Sequence, residues 1–277
     1  MATEIRDPAA PDTIVFIHGL WMTPLCWEHW IERFAARGLR VVAPSWPGME
    51  GGVEAVRRDP ASIAQLGIAE IVDHYARIIG GLERPPILMG HSFGGAFVQL
   101  LLDRGLGAAG VAIDSAPVRG VLRLPLSTLR SAWPVLHSPA NNHRAVSLTP
   151  GQFHYAFTNT LSEAESDAVY RRYHVPGPGH VLFQGAFANF SRHSPARVDF
   201  GNDRRAPLLL VAGGEDHVVP ASVNRENAAR YRGSKAITEL KEFPGRSHYT
   251  LGQEGWEDVA DFALAWATRS AAVQARA

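Results

Sequence analysis

Residues Gly90-His91-Ser92-Phe93-Gly94 follow the apolar run Pro86-Ile87-Leu88-Met89 and precede the small, apolar stretch Gly95-Ala96-Phe97-Val98-Gln99-Leu100-Leu101-Leu102. A G-x-S-x-G pentapeptide in that setting reads as strand, sharp turn, helix. Glycines two residues either side of the serine let the backbone reverse tightly, holding Ser92 in strained geometry and exposing its Oγ at the strand's carboxyl end. The bare pattern occurs by chance in many chains. Its meaning comes from the strand before it and the helix after it.

The rest of the chain repeats the same rhythm. Thr13-Ile14-Val15-Phe16-Ile17 is a continuous apolar run rich in β-branched residues, the signature of a strand buried on both faces of a parallel sheet, and it ends in His18-Gly19-Leu20-Trp21. Leu25, Trp27, Trp30, Ile31 and Phe34 fall at helical spacing before the stop signal Gly38. Arg40 to Pro44 reads as a second strand, Ser62 to Ile79 as a helix closed by Gly80-Gly81. Ala109 to Ile113, Pro207 to Val211 and Ile237 to Phe243 are further strands, and Trp256 to Trp266 a closing helix. This alternation predicts an α/β fold, with a mostly parallel central sheet covered by helices on both faces.

Between Pro117 and about Phe200 the strand rhythm stops and aromatic residues accumulate. Thr149-Pro150 marks a helix start, Ser162-Glu163-Ala164-Glu165 a capping box, and Val181 to Phe190 a third helix after Pro176-Gly177-Pro178-Gly179. The expected organisation is a core formed by residues 1–116 and 201–277, interrupted by a helical cap or lid at 117–200. Most of its aromatics are expected to pack among themselves. An insertion at this point of the chain covers the carboxyl ends of the strands, where open α/β sheets bind ligands. Trp133 and Phe157 of the insertion, with Trp21 and His91, are therefore candidates for the substrate pocket.

The chain has 277 residues, the upper end of what one core supports, and its 27 Lys and Arg balance 27 Asp and Glu. With no basic stripe, nucleic acid is not an expected partner; the expected partner is a small molecule with an apolar body. No run reaches the ~18 apolar residues of a membrane span, and the acidic start Met1 to Asp7 does not read as a secretory signal, so the expected location is cytoplasmic. Cys26 is the single cysteine, expected to serve packing. His137, His143, His154, His174, His180 and His193 lack regular metal-ligand spacing, and no metal or cofactor is expected.

A serine hydroxyl is a poor nucleophile at neutral pH and needs a base, usually histidine oriented by a carboxylate. Leu208 to Gly214 is a strand running into a glycine turn that presents Asp216. Phe243-Pro244-Gly245-Arg246-Ser247-His248 delivers His248 from the loop after the last strand. Asp114, ending the strand before the insertion, is an alternative acid, as is Glu215 more remotely; His18, His91 and His217 are alternative bases without the favourable loop position.

These residues resemble those of the α/β-hydrolase superfamily, and the resemblance spans Ile14 to Trp266. In that family the order Ser92, Asp216, His248 is the order of the triad, His-Gly-x after the first conserved strand matches His18-Gly19-Leu20, and Gly-x-x-Asp matches Gly213 to Asp216. The resemblance implies a nucleophile elbow and an oxyanion hole made by the backbone N–H of Phe93 and of Leu20 or Trp21. It implies a serine esterase acting on a carboxylic ester, lactone or thioester. The same triad in the family also serves C–C bond hydrolases, cofactor-free perhydrolases or haloperoxidases, acyltransferases, and receptor-like proteins with slow turnover. Family members often begin with a β-hairpin, and the short stretch before Thr13 implies that one or two edge strands are lost.

Overall fold

The computed structural model describes residues 11–274, so the readings made on Met1 to Asp7 lie outside the described residues. Six parallel strands form the sheet: β1 (Thr13–Ile17), β2 (Arg40–Val42), β3 (Ile87–His91), β4 (Ala109–Ile113), and, after the insertion, β7 (Leu208–Gly213) and β8 (Thr238–Phe243). Their order is β2-β1-β3-β4-β7-β8. The continuous apolar runs became β1, β3, β4 and β7, each buried along its length, whereas the edge strands β2 and β8 keep exposed positions. From β1 the chain moves to one side for β2, then crosses back for β3. Strand order therefore reverses between β1 and β3, where the crevice at the carboxyl ends is a natural ligand site.

Helices cover the sheet. A 3₁₀ turn at Pro24–Trp27, capped by the Thr23 hydroxyl, leads into α1 (Glu28–Ala35). Phe16 of β1 stacks on Trp27 with centroids 4.4 Å apart and meets Trp30 edge-on, which anchors this segment to the sheet. The expected helix from Ser62 to Ile79 is instead a 3₁₀ turn at Pro60–Ile63 and a separate α3 (Ile68–Gly80). Gly67 between them is extended and stands at the N-cap of α3. A short α2 (Gly52–Arg58) precedes them, with no strong apolar period to announce it. After β3 comes α4 (Phe93–Asp103), packed on β3 and β4.

The segment between β4 and β7 holds α5 (Leu126–Leu136), a two-stranded antiparallel pair of β5 (Ala145–Val146) and β6 (Gly177–Pro178), α6 (Pro150–Phe157), α7 (Glu163–Tyr173) and α8 (Gly179–Ala186). Both helix starts read from the sequence carry full capping boxes, Thr149 with Gln152 and Ser162 with Glu165. The third helix begins two residues earlier than expected and gives way to a 3₁₀ turn at Ala188–Phe190. Finally α9 (Ala221–Arg230) follows β7, and α10 (Trp256–Gln274) runs eight residues past the expected end at Trp266.

Candidate active site

Ser92 stands between β3 and α4 at φ 57°, ψ −120°, a left-handed conformation that non-glycine residues avoid. Its surroundings enforce it. The Ser92 N–H donates to the Ile113 carbonyl at 2.9 Å, and its carbonyl accepts from the N–H groups of Gly95 and Ala116 at 3.0 and 2.9 Å. A Cβ at Gly90 would collide with the Gly94 carbonyl, and one at Gly94 with the Ile17 carbonyl, so the tight turn requires both glycines.

The loop after β1 passes directly over this serine. A Cβ on Gly19 would lie 2.7 Å from Ser92 Cβ and 3.4 Å from its Oγ. His18 braces that loop rather than serving as a base. Its Nδ1–H donates to the Gly19 carbonyl at 2.9 Å, its Nε2 accepts from the Trp46 N–H at 3.2 Å, and burial lowers its pKa to about 4, which keeps it neutral. Trp21, itself at φ 64°, is tied to the insertion: its indole N–H donates to the Val146 carbonyl and its carbonyl accepts from the Val175 N–H, both at 2.9 Å.

Asp216 and His248 meet at the same end of the sheet. The His248 Nδ1–H donates to Asp216 Oδ2 at 2.7 Å, and both side chains are fully buried. The other carboxylate oxygen of Asp216 accepts from the N–H groups of Val218 and Val219 at 2.7 and 2.8 Å, which fixes its orientation. Opposing effects act on the imidazole. Burial lowers its pKa, but the Asp216 charge and hydrogen bond, with Asp114 adding to them, raise it further, and the net shift is upward. His248 Nε2 is buried and has no hydrogen-bond partner among the described residues.

Several groups hold the His248 loop. Gln253 Oε1 accepts from the N–H and hydroxyl of Ser247 at 2.9 and 3.0 Å, and the Tyr249 N–H donates to the Phe157 carbonyl at 2.9 Å. The Phe157 ring stands edge-on to the imidazole at 4.8 Å. Sequence reasoning missed Gln253, which sits in no recognisable pattern.

His91 lies beneath this loop, not in the pocket wall. Its Nε2–H donates to the His248 carbonyl at 2.8 Å, and burial together with the neighbouring imidazole pushes its pKa well below the usual histidine range. Asp114, the alternative acid, is also at φ 46° and fully buried. Its Oδ1 accepts from the Gly213 N–H at 2.7 Å, while Oδ2 has no partner among the described residues. Burial and the Asp216 charge raise its pKa to about 7. His217, another alternative base, donates from Nδ1 to the Tyr155 carbonyl at 2.9 Å.

His91, Asp114 and His248 each place one potential ligand atom within 4.8 Å of the others. Two of the three already have commitments, His248 to Asp216 and His91 to the His248 backbone, which suits a proton-handling cluster better than a metal cradle.

Ser92 opens into a cavity of about 270 Å³ whose walls are apolar. Leu20, Trp21 and Phe93 line it from the core, and Leu129, Leu182 and Phe187 from the insertion. Trp133 is not in this wall. It is 65 % exposed and packs on His137, because α5 turns Thr128, Ala132 and Leu136 toward the cavity and Trp133 away. Phe157 also lies outside the wall, buried behind His248.

With this geometry in place, comparisons with known proteins fix its class. The model of the Alpha/beta hydrolase family matches residues 14–262, and the chain belongs to that family. It is 24 % identical over 260 residues to a pyrethroid hydrolase of Sphingobium wenxiniae, covering 90 % of this chain and 87 % of the relative. It is likewise 24 % identical over 284 residues to a monoacylglycerol lipase of Mycolicibacterium smegmatis, covering 95 % and 91 %. Among solved structures, an extracellular α/β-hydrolase from a Paenibacillus species superposes with a TM-score of 0.66 at 19 % identity, over 94 % of this chain and all of that one, and shares the fold. No helix among the described residues is long and apolar enough to cross a membrane.

Proposed function

We propose that the protein is a serine hydrolase that cleaves carboxylic esters with an apolar body through an acyl-enzyme on Ser92. The observation that carries this reading is the buried Asp216–His248 pair. Its Nδ1–H is committed to the carboxylate, so the remaining nitrogen, Nε2, is left as a lone-pair acceptor on a ring whose centroid lies 4.6 Å from that of His91, the residue before Ser92. The names of the two sequence relatives, a pyrethroid hydrolase and a monoacylglycerol lipase, agree with an apolar ester as substrate.

In this reading residues 117–200 act as the cap, and the ester enters the apolar cavity with its carbonyl carbon over Ser92 Oγ. His248 Nε2 accepts the hydroxyl proton as the Oγ–carbon bond forms. The backbone N–H groups of Phe93 and Leu20 hold the resulting oxyanion, where they act on charge that develops only in the transition state. Asp216 fixes the imidazole tautomer and stabilises the imidazolium. That proton then passes to the leaving alkoxide as the carbon–oxygen bond breaks. Water, deprotonated by His248, releases the acid and restores Ser92. Catalytic hydrogen bonds such as Ser92 to His248 tighten when substrate arrives.

The test is release of p-nitrophenol from acyl esters running from acetyl to dodecanoyl, by the parent protein and Ser92→Ala side by side. Turnover that collapses in the variant is the expected outcome. A parent inactive on every ester, or a variant as active as the parent, rejects the assignment.

A further inference from the structure

Among the described residues nine large apolar side chains are exposed, and seven of them belong to the segment between β4 and β7. They are not scattered. Leu124, Leu129, Phe187 and Phe190 are 41 to 85 % exposed and also line the Ser92 cavity, so they form its mouth. Leu122 and Leu126, 66 % and 83 % exposed, flank Leu124 in the chain, and Trp133 lies one helical turn beyond Leu129 on α5. Single exposed leucines need no explanation, but a collar of them around a cavity mouth marks a surface that is covered in use.

The chain stretches that carry this collar are one-sided in charge. From Ser115 to Ser162 the chain has no Asp or Glu but four arginines, Arg119, Arg123, Arg130 and Arg144. From Gly179 to Val198 it again has no acid, but Arg192 and Arg197. The chain as a whole balances 27 against 27, and of these arginines the exposed Arg123 stands between Leu122 and Leu124 while the exposed Arg192 follows two residues after Phe190. An acid brought to it is Glu226 of α9, whose carboxylate accepts from the backbone N–H groups of Leu122 and Arg123 at 3.0 and 2.7 Å and pairs with Arg230.

We propose that this face docks on an anionic lipid surface, with the exposed leucines and phenylalanines in the acyl boundary and the arginines among the headgroups. The proposal rests on the reading of the Ser92 cavity as an ester site, and it sharpens the substrate class to esters held in a lipid aggregate, which would pass from the surface through the mouth. Apolar side chains with a basic surround are the pattern of interfacial binding. A second copy of the chain is a poorer occupant, because a two-fold interface would set this arginine-bearing face against itself.

The test uses the Ser92→Ala protein, so that binding is read apart from turnover. It is sedimented with vesicles of phosphatidylcholine alone and of phosphatidylcholine with phosphatidylglycerol. The expected result is co-sedimentation with the anionic vesicles, lost at least about tenfold in Leu122→Asp/Leu126→Asp and weakened about fivefold for each charge removed by Arg123→Gln or Arg192→Gln. Neither leucine lines the cavity, so the aspartate pair in the Ser92 parent should hydrolyse soluble p-nitrophenyl acetate at the parental rate, which also reports that it is folded. Absence of vesicle binding overturns the proposal, as does binding that neither pair of variants changes. A parent dimer in analytical ultracentrifugation that the aspartate pair turns into a monomer overturns it too, and assigns the face to self-association. Intact vesicle binding by a protein inactive on all esters would instead reject the hydrolase reading and leave the docking surface standing.

Discussion

Asp216 Oδ2 lies 2.7 Å from His248 Nδ1 with both side chains removed from solvent, and the second oxygen of the same carboxylate is held by two backbone N–H groups. The imidazole is thereby fixed in one tautomer. Asp216→Asn should leave the fold intact and lower kcat by about 10³–10⁴-fold, because an amide can present its N–H to Nδ1 and invert the tautomer. Asp114→Asn should cost far less, since Asp114 makes its 2.7 Å bond to Gly213 rather than to His248. Steady-state kinetics of the two variants decide the matter. The opposite ranking would transfer the role to Asp114.

The pH dependence follows from the same cluster. The proposed mechanism needs neutral His248, and although burial lowers its pKa, the Asp216 carboxylate with help from Asp114 more than compensates, so the net shift is upward. The acid limb of kcat/KM should therefore fall above the ordinary histidine value of 6.5, with activity rising as pH increases through it. Asp114→Asn removes one raising charge and should move that limb to lower pH. Stability should respond with its own sign. Asp114 has its pKa raised from 3.8 to about 7, so between those values the unfolded chain releases a proton that the folded protein keeps, and stability falls as pH rises. Thermal unfolding should show Asp114→Asn gaining on the parent at pH values above that window and matching it below. A variant less stable than the parent at high pH would contradict the assignment.

Gly19 offers a steric test. A Cβ there would lie 2.7 Å from Ser92 Cβ and 2.9 Å from the His91 carbonyl, so Gly19→Ala must shift the loop that carries Leu20 relative to the serine. Displacement on that scale should lower kcat by about 10²-fold with a smaller effect on KM. Unchanged kcat would separate this loop from the oxyanion site.

Two tryptophans that look alike in the sequence should behave differently. Trp21 lines the cavity, and Trp21→Ala should shift the preferred acyl length upward in the p-nitrophenyl ester series. Trp133 points outward, and Trp133→Ala should leave that profile where it was. A profile moved by Trp133 and not by Trp21 would reverse the assignment of the pocket wall.

The core strands were legible because a strand buried on both faces must be apolar throughout: Ile14 to Ile17 and Leu208 to Ala212 carry no other reading once the turns are placed. Helices α6 and α7 were legible for a local reason, their capping boxes. The insertion helix α5 was not. It begins after Pro125 without a side-chain cap, carries Pro134 inside, and exposes apolar residues that a soluble helix normally buries, so no amphipathic stripe marks it. Gly67, which splits the expected helix from Ser62 to Ile79, is one glycine in an otherwise continuous apolar period. At the site, the serine turn and the loops bearing Asp216 and His248 were readable because strand ends place them, whatever the side chains do. Which insertion residues face the cavity depends on the rotation of α5 about its axis, and that is set by packing partners distant in sequence. For the same reason His91 and Phe157 were expected in the pocket but support the His248 loop instead.

The most direct measurement is mass spectrometry of the protein after reaction with an alkyl p-nitrophenyl phosphonate, followed by peptide mapping. The account predicts one phosphonyl group per chain, bound at Ser92, with labelling slowed strongly in His248→Ala and absent in Ser92→Ala. Labelling of another residue, or equal labelling of the Ser92→Ala protein, would contradict it.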